Sequence, residues 1–134
     1  MIRFGSSSGS APENRCEFCH LPQHGHDEHF SIDHIIARKH GGGGDDEENL
    51  ALCCLRCNLC KGTNLSGLDP LDGSVVTLFS PRRDVGGDHF RWNGTTLVGS
   101  TPAGRATVEV LVMNAPERVR LRRALLEEGL LQLD

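Results

Sequence analysis

Four of the six cysteines in this chain, Cys53, Cys54, Cys57 and Cys60, fall within the single run NLALCCLRCNLCKG, and the other two form Cys16-Glu-Phe-Cys19. Two residues between cysteines let both thiolates reach one ion from a tight turn, and two such knuckles close a tetrahedral zinc site. The first knuckle is plain. The second is ambiguous, because Cys54-Leu-Arg-Cys57 and Cys57-Asn-Leu-Cys60 both have the spacing. A segment of roughly 50 residues with few large side chains buries too little apolar surface to offset its chain entropy, so a metal crosslink is its natural staple. A rubredoxin-like iron site also uses two such pairs, but nothing else in the chain points to electron transfer.

Whether the thiols are free to bind metal depends on compartment. No run of about 18 apolar residues suggests a membrane span, and the start MIRFGSSSGSAPENR has no apolar segment resembling a secretory signal. The expectation is a cytoplasmic protein without membrane association, whose paired cysteines are metal ligands rather than disulfides.

The charge balance argues against a broadly basic surface, with 14 Lys+Arg against 18 Asp+Glu and a net charge of -4. It is uneven: 6 basic and 11 acidic residues lie through position 72, and 8 basic residues, all Arg, with 7 acidic ones follow. A polyanionic partner would therefore be met by bound cations and local Arg clusters.

Three regions are expected. Residues 1–14 are Ser/Gly/Pro-rich and read as a tail. Residues 15–68 hold the cysteine frame: FSIDHIIA patterns as a strand, GGGGDDEEN as an exposed loop, NLAL as a short strand, and LRCNLCK as a helix stopped by Gly62. Residues 69–134 form an extension, with SVVTLFSP and HFRW-NG-TTLVG as strands, the latter pair joined at Asn93-Gly94. Thr101-Pro102 opens a helix running to about Met113, although TVEVLV also alternates like a strand. Asn114 caps a last helix through RVRLRRALLEE to Gly129, with its leucines on one buried face.

Between the knuckles stands Ile32-Asp33-His34-Ile35. A carboxylate oxygen suits a hard cation such as Mg²⁺, and an unprotonated imidazole takes a proton from water near neutral pH. Neighbours on a strand point to opposite faces, so both serve one site only where the strand ends or twists.

The ordered set Cys16-x-x-Cys19, Ile32-Asp33-His34-Ile35, a Gly-rich loop, Asn49-Leu50-Ala51-Leu52, Cys54-x-x-Cys57-Asn58 and Lys61-Gly62 closely resembles the zinc-containing branch of the HNH nuclease family, over about residues 15 to 65. The resemblance implies an α+β protein: a zinc-stapled ββα-metal core, here with a C-terminal β-hairpin and helical extension. It sets the structural zinc on Cys16, Cys19, Cys54 and Cys57, with Asn58 in the family's third signature position. The alternative register would put Lys61 there, and an ammonium is a poor metal ligand.

By the same resemblance His34 is the general base, Asp33 and Asn58 hold one catalytic Mg²⁺ or Mn²⁺, and Asn49 spans the loop and orients His34. Arg38 and Lys61 are candidates for DNA phosphate contacts, each weighed against a solvated surface charge. Cys60 stands where related sequences often carry His. The implied function is an HNH endonuclease hydrolysing DNA phosphodiester bonds; the competing one is a zinc-stabilised nucleic-acid-binding module without catalysis. Among residues given no catalytic role, His20, His24, His26 and His29 read as an exposed loop, Asp45 to Glu48 as solvated acid, and Arg82, Arg83 and Arg91 as possible accessories to DNA binding.

Overall fold

The structure is a computed structural model, and it describes residues 15–23, 29–42 and 44–133. The tail through residue 14, together with His24 and His26, lies outside the described residues. Among the described residues no helix is long and apolar enough to cross a membrane.

The architecture is mixed α/β. The cysteine-framed part builds from β1 (Ser31–His34) and β2 (Leu50–Cys53), an antiparallel pair in which Asp33 faces Ala51 and His34 faces Leu50. Helix α1 (Leu55–Lys61) follows β2 after a single residue, Cys54. That residue is its N-cap, and the Cys54 thiol accepts the Cys57 backbone N–H. Gly62 closes α1 with a φ of 53°, a left-handed value that glycine adopts at little cost. The strand, strand and helix read from the sequence are thus present, but β1 stops three residues before the expected Ala37, and the end of the expected exposed loop forms a short helical turn over Glu47–Asn49 with Asn49 buried.

The extension pairs β3 (Ser66–Leu68) with β4 (Val75–Thr77), and β5 (Phe90–Asn93) with β6 (Thr96–Gly99). Strand β3 was not expected, since three residues of Ser-Gly-Leu carry no alternation. In the second hairpin Asn93 pairs with Thr96, so the turn is made by Gly94 and Thr95 rather than by Asn93-Gly94, with Gly94 at φ 63°. A short helix, α2 (Gly86–His89), precedes β5.

The Thr-Pro opening of α3 (Pro102–Val110) is realised: Thr101 Oγ1 accepts the Gly104 N–H at 3.0 Å, and the helix alternative prevails over the strand. This helix packs so closely on the end of α2 and on β6 that a Cβ on Gly104 would stand 2.1 Å from the His89 carbonyl oxygen and 3.3 Å from Gly99 Cα. Helix α4 (Pro116–Glu127) departs from expectation at both cap and face. Its N-cap is Ala115, because Asn114 instead bonds both the N–H and C=O of Leu97, at 2.9 and 2.8 Å. Its buried residues are Arg118, Arg122 and Leu125 rather than leucines alone.

One apolar cluster joins the two parts. Phe18, Leu21, Ala51 and the knuckle cysteines share it with Phe79, Leu97, Leu111, Met113 and Leu125. The cysteine frame is therefore built into the core and does not hang from it.

Candidate metal centre and adjoining strand end

The four sulfur atoms of Cys16, Cys19, Cys54 and Cys57 lie within 4.8 Å of one another, all buried. This resolves the ambiguity of the second knuckle in favour of Cys54 and Cys57. Local hydrogen bonds build each knuckle. The Cys19 N–H points to Cys16 Sγ at 3.5 Å and the Cys57 N–H to Cys54 Sγ at 3.4 Å, as backbone amides do when they cradle thiolates. The first knuckle is tied to β2, with Glu17 N–H donating to the Leu52 carbonyl and Leu52 N–H to Glu17 Oε2, at 2.9 and 2.7 Å. Four converging, buried sulfur donors fit a tetrahedral zinc ion.

The sulfurs also shape one another's protonation. Burial works against a charge on Cys16, but thiol donors from Cys19, Cys53, Cys54 and Cys57 outweigh it and lower its pKa. Cys54 and Cys57 are pushed up, first by their bonds to Cys16. Without a cation the cluster cannot hold four negative charges, whereas a metal binds thiolates.

A guanidinium completes this centre. Arg118 of α4 donates from Nη2 to Cys57 Sγ at 2.9 Å and from Nη1 to the Leu111 carbonyl at 2.8 Å. Burial opposes its charge, and the Cys57 and Cys19 sulfurs more than restore it, raising its pKa. The paired Arg82 and Glu17 form a second link, with Nη1 to Oε1 at 2.6 Å and Nη2 to Oε2 at 2.9 Å.

At the far end of β1 the side chains diverge as a strand requires. Asp33 is buried and points to α1, where its Oδ2 lies 3.0 Å from Lys61 Nζ. This oxygen is paired with the Lys61 ammonium and accepts no further hydrogen bond among the described residues. Burial raises the Asp33 pKa, and Lys61 opposes the rise. Lys61 Nζ also donates to the Ile35 carbonyl at 3.0 Å and the His34 carbonyl at 3.5 Å.

His34 faces the loop. Its side chain is 35% exposed, and its Nε2 lies 3.0 Å from Asp45 Oδ1. Asn49 is buried and uses its whole amide: Oδ1 accepts the Ile36 N–H at 2.8 Å, and Nδ2 donates to the carbonyls of Ile36 and Gly44 at 3.0 and 3.1 Å. Beside it a cleft of ≈ 420 Å³ opens between Ile35, Ile36, Glu48 and Asn49 on one side and Ser80, Arg82 and Arg83 on the other.

Residues 16–64 match the model of the HNH endonuclease family. A Septu protein PtuB from Bacillus thuringiensis is 25% identical over 114 residues, covering 84% of this chain and 42% of that protein. The chain thus spans less than half the length of this curated relative. No solved structure matches it.

Within the HNH segment the structure gathers the four zinc-ligand candidates, sets Asp33 and His34 at one strand end, and stretches Asn49 across the loop that follows. Asn58 is half-buried on α1, and its side chain makes no hydrogen bond among the described residues. Lys61 does not stand as a surface cation: it is 2% exposed and spent on Asp33, so the expectation that it meets phosphates does not fit this geometry. Arg38 is exposed and bonds Asp45. Cys53 is buried in the core and Cys60 is half-buried outside the cluster.

Arg118, Glu17 and Asp45 are the site residues that sequence reading missed. Only Glu17, inside the first knuckle, had a signal: an acid in a turn whose outer position normally faces water.

Proposed function

We propose that this chain is a metal-dependent endonuclease with a ββα-metal core in residues 15–68 and a packed extension in 69–134, acting on DNA phosphodiester bonds. The observation that carries the reading is the chemistry set at the end of β1: a part-exposed imidazole on one face and, on the other, a buried carboxylate held by the Lys61 ammonium. A binding module needs neither.

Zinc on Cys16, Cys19, Cys54 and Cys57 is structural, closing a segment that would otherwise hold too little core. The donor set for the second metal is hard oxygen, with Asp33 and Asn58 as the holding residues, and a cation there would take over from the Lys61 ammonium as the charge partner of Asp33 Oδ2. Bound there, Mg²⁺ or Mn²⁺ supplies charge stabilisation to the scissile phosphate and the departing 3′ oxygen. His34 takes the proton of the attacking water. Asn49 holds the backbone after His34, and Arg38, exposed beside Asp45, meets phosphates. The family match supports a nucleic-acid substrate, and its reduced thiols suit the cytoplasm.

Nicking of supercoiled plasmid in Mg²⁺ or Mn²⁺ tests the reading, with His34→Ala as the paired variant and zinc content measured in both. Cleavage by the wild type that falls by about 10²-fold or more in the folded, zinc-replete variant supports it. Equal cleavage by both, or none by the wild type on double- and single-stranded DNA, overturns it in favour of a binding module.

A further inference from the structure

The acidic end of the Gly-rich loop does more than solvate itself. Asp45 Oδ1 lies 3.0 Å from His34 Nε2, and Arg38 Nη2 holds both carboxylate oxygens of Asp45 at 3.1 Å. An ionised carboxylate has no proton to give, so the hydrogen in this contact belongs to the imidazole and sits on Nε2. The ring's lone pair is then on Nδ1. That nitrogen has no hydrogen-bond partner among the described residues, on a side chain that is 35% exposed.

The loop is built to keep this pair in register. Asn49 Nδ2 donates to the carbonyl of Gly44, the residue before Asp45, and to that of Ile36, two after His34. Its backbone carbonyl also accepts the Ile35 N–H at 2.8 Å. The loop folds down so closely that a Cβ on Gly42 would stand 2.3 Å from the Ile36 carbonyl oxygen. The spacing of His34 and Asp45 is thus set by a buried amide and by close backbone packing, not by two free side chains.

A pair this exposed adds little to stability. Its consequence is chemical: it fixes ring orientation and tautomer, the two properties a general base must have right before water arrives.

We propose that Asp45 is a positioning residue that holds His34 in the Nε2–H tautomer, leaving Nδ1 as the atom that takes the proton from water, a proposal that rests on the nuclease reading above. A water O–H bond breaks and its proton passes to Nδ1. The hydroxide oxygen bonds to phosphorus, the bond from phosphorus to the 3′ oxygen breaks with its electron pair on that oxygen, and solvent supplies the proton that leaves it a hydroxyl. The imidazolium so formed is stabilised by the Asp45 carboxylate until Nδ1 returns its proton to solvent.

The test uses the full zinc-loaded chain with Asp45→Ala and Asp45→Asn, whose carbonyl oxygen still accepts from Nε2–H. Plasmid nicking is followed in Mg²⁺ over a range of DNA concentrations. The imidazole tautomer is read separately by long-range proton–nitrogen NMR on histidine-labelled protein at pH 8, with His34→Gln assigning the signal. Expected are a kcat lower by about 10- to 100-fold in Asp45→Ala with half-saturation nearly unchanged, partial recovery in Asp45→Asn, which accepts from Nε2–H but lacks the charge that stabilises the imidazolium, and an Nε2–H signal for His34 that becomes a tautomer mixture in Asp45→Ala. Cleavage by Asp45→Ala that matches or exceeds the wild type overturns the proposal, since the carboxylate would then be idle or compete with phosphate for His34 and Arg38. An Nδ1–H signal in the wild type overturns it without reference to activity. Wild-type protein that leaves DNA intact while showing the Nε2–H signal overturns the nuclease reading and the base role together, and supports the Asp45 contact alone.

Discussion

Arg118 Nη2 lies 2.9 Å from Cys57 Sγ, joining the last helix to the second cysteine knuckle across 61 residues of chain. Four thiolates around one Zn²⁺ leave about two negative charges in a buried place, where unbalanced charge is costly. The guanidinium supplies part of the balance, and its bond to the Leu111 carbonyl fixes its plane. The extension is therefore electrostatically part of the candidate metal centre, as well as part of its apolar core.

Replacing Arg118 by Met keeps the apolar stem and removes the charge. Zinc affinity should fall by about 10- to 100-fold, the usual effect of losing a partner of metal ligands. Competition with a colorimetric chelator reads this directly. Arg118→Lys should lie between wild type and Met, because one ammonium cannot reproduce the two-branched contact. An unchanged affinity in Arg118→Met would mean that the guanidinium only fills space.

The first knuckle has its own tie. Arg82 and Glu17 are bidentate and largely buried, with side chains 10% and 3% exposed. Removing one member of such a pair strands the other's charge, so Arg82→Ala should destabilise by about 3–5 kcal/mol in urea unfolding of the zinc-loaded protein. The double variant Arg82→Ala with Glu17→Gln should recover much of that loss, since no buried carboxylate is then left without its cation. Additive losses would rule out this account.

Asn49 is saturated by three bonds to the loop backbone. Asn49→Asp keeps the shape and the acceptor but turns two donors into an oxygen facing the carbonyls of Ile36 and Gly44. A loss of about 2–4 kcal/mol is expected from two unsatisfied carbonyls and the repulsion. Hydrogen exchange should locate it at the Ile36 amide and nearby loop residues, while α3 stays protected.

What could be read from the chain alone follows a physical divide. Local rules found the strand at Ser31–His34, α1 with its Gly62 stop, the Thr101 cap and the first knuckle, because each is fixed by residues within a few positions of one another. Spacing alone leaves the second knuckle open, because overlapping spacings are equivalent until the chain folds, and only the family resemblance points to Cys54 and Cys57. Helix α4 was misread on its buried face, where Arg118, Arg122 and Leu125 fall at i, i+4 and i+7. That spacing marks a core stripe when leucine fills it, but arginine there reads as solvent-facing unless its distant partners, Cys57 Sγ and the Thr95 carbonyl, are known. Lys61 is hidden from sequence for the same reason: a lysine before a helix-ending glycine looks exposed, and only packing of α1 on β1 brings it to Asp33. His34 and Asp33 were legible as chemistry, whereas Asp45 looked like one of several loop acids.

Asp69 gives a pH dependence whose sign can be worked out. Arg105 Nε and Nη2 each lie 2.8 Å from its carboxylate oxygens, and the Leu71 N–H donates to it at 3.0 Å. Arg105 first, then that backbone bond, holds the Asp69 pKa down to about 2, against roughly 3.9 in an unfolded chain. A depressed folded pKa gives stability that is present above the unfolded value and is lost as pH falls from about 4 through about 2. The expected outcome concerns a difference. The gap in urea midpoint between wild type and Asp69→Asn should be constant from pH 7 to 5 and shrink as the pH is taken below 4. Acid also releases zinc from cysteine, but both proteins share that loss, so comparing them at each pH removes it. A gap that widens on acidification would contradict the direction of the shift and place the strength of the β3–β4 turn elsewhere than in the Asp69–Arg105 pair.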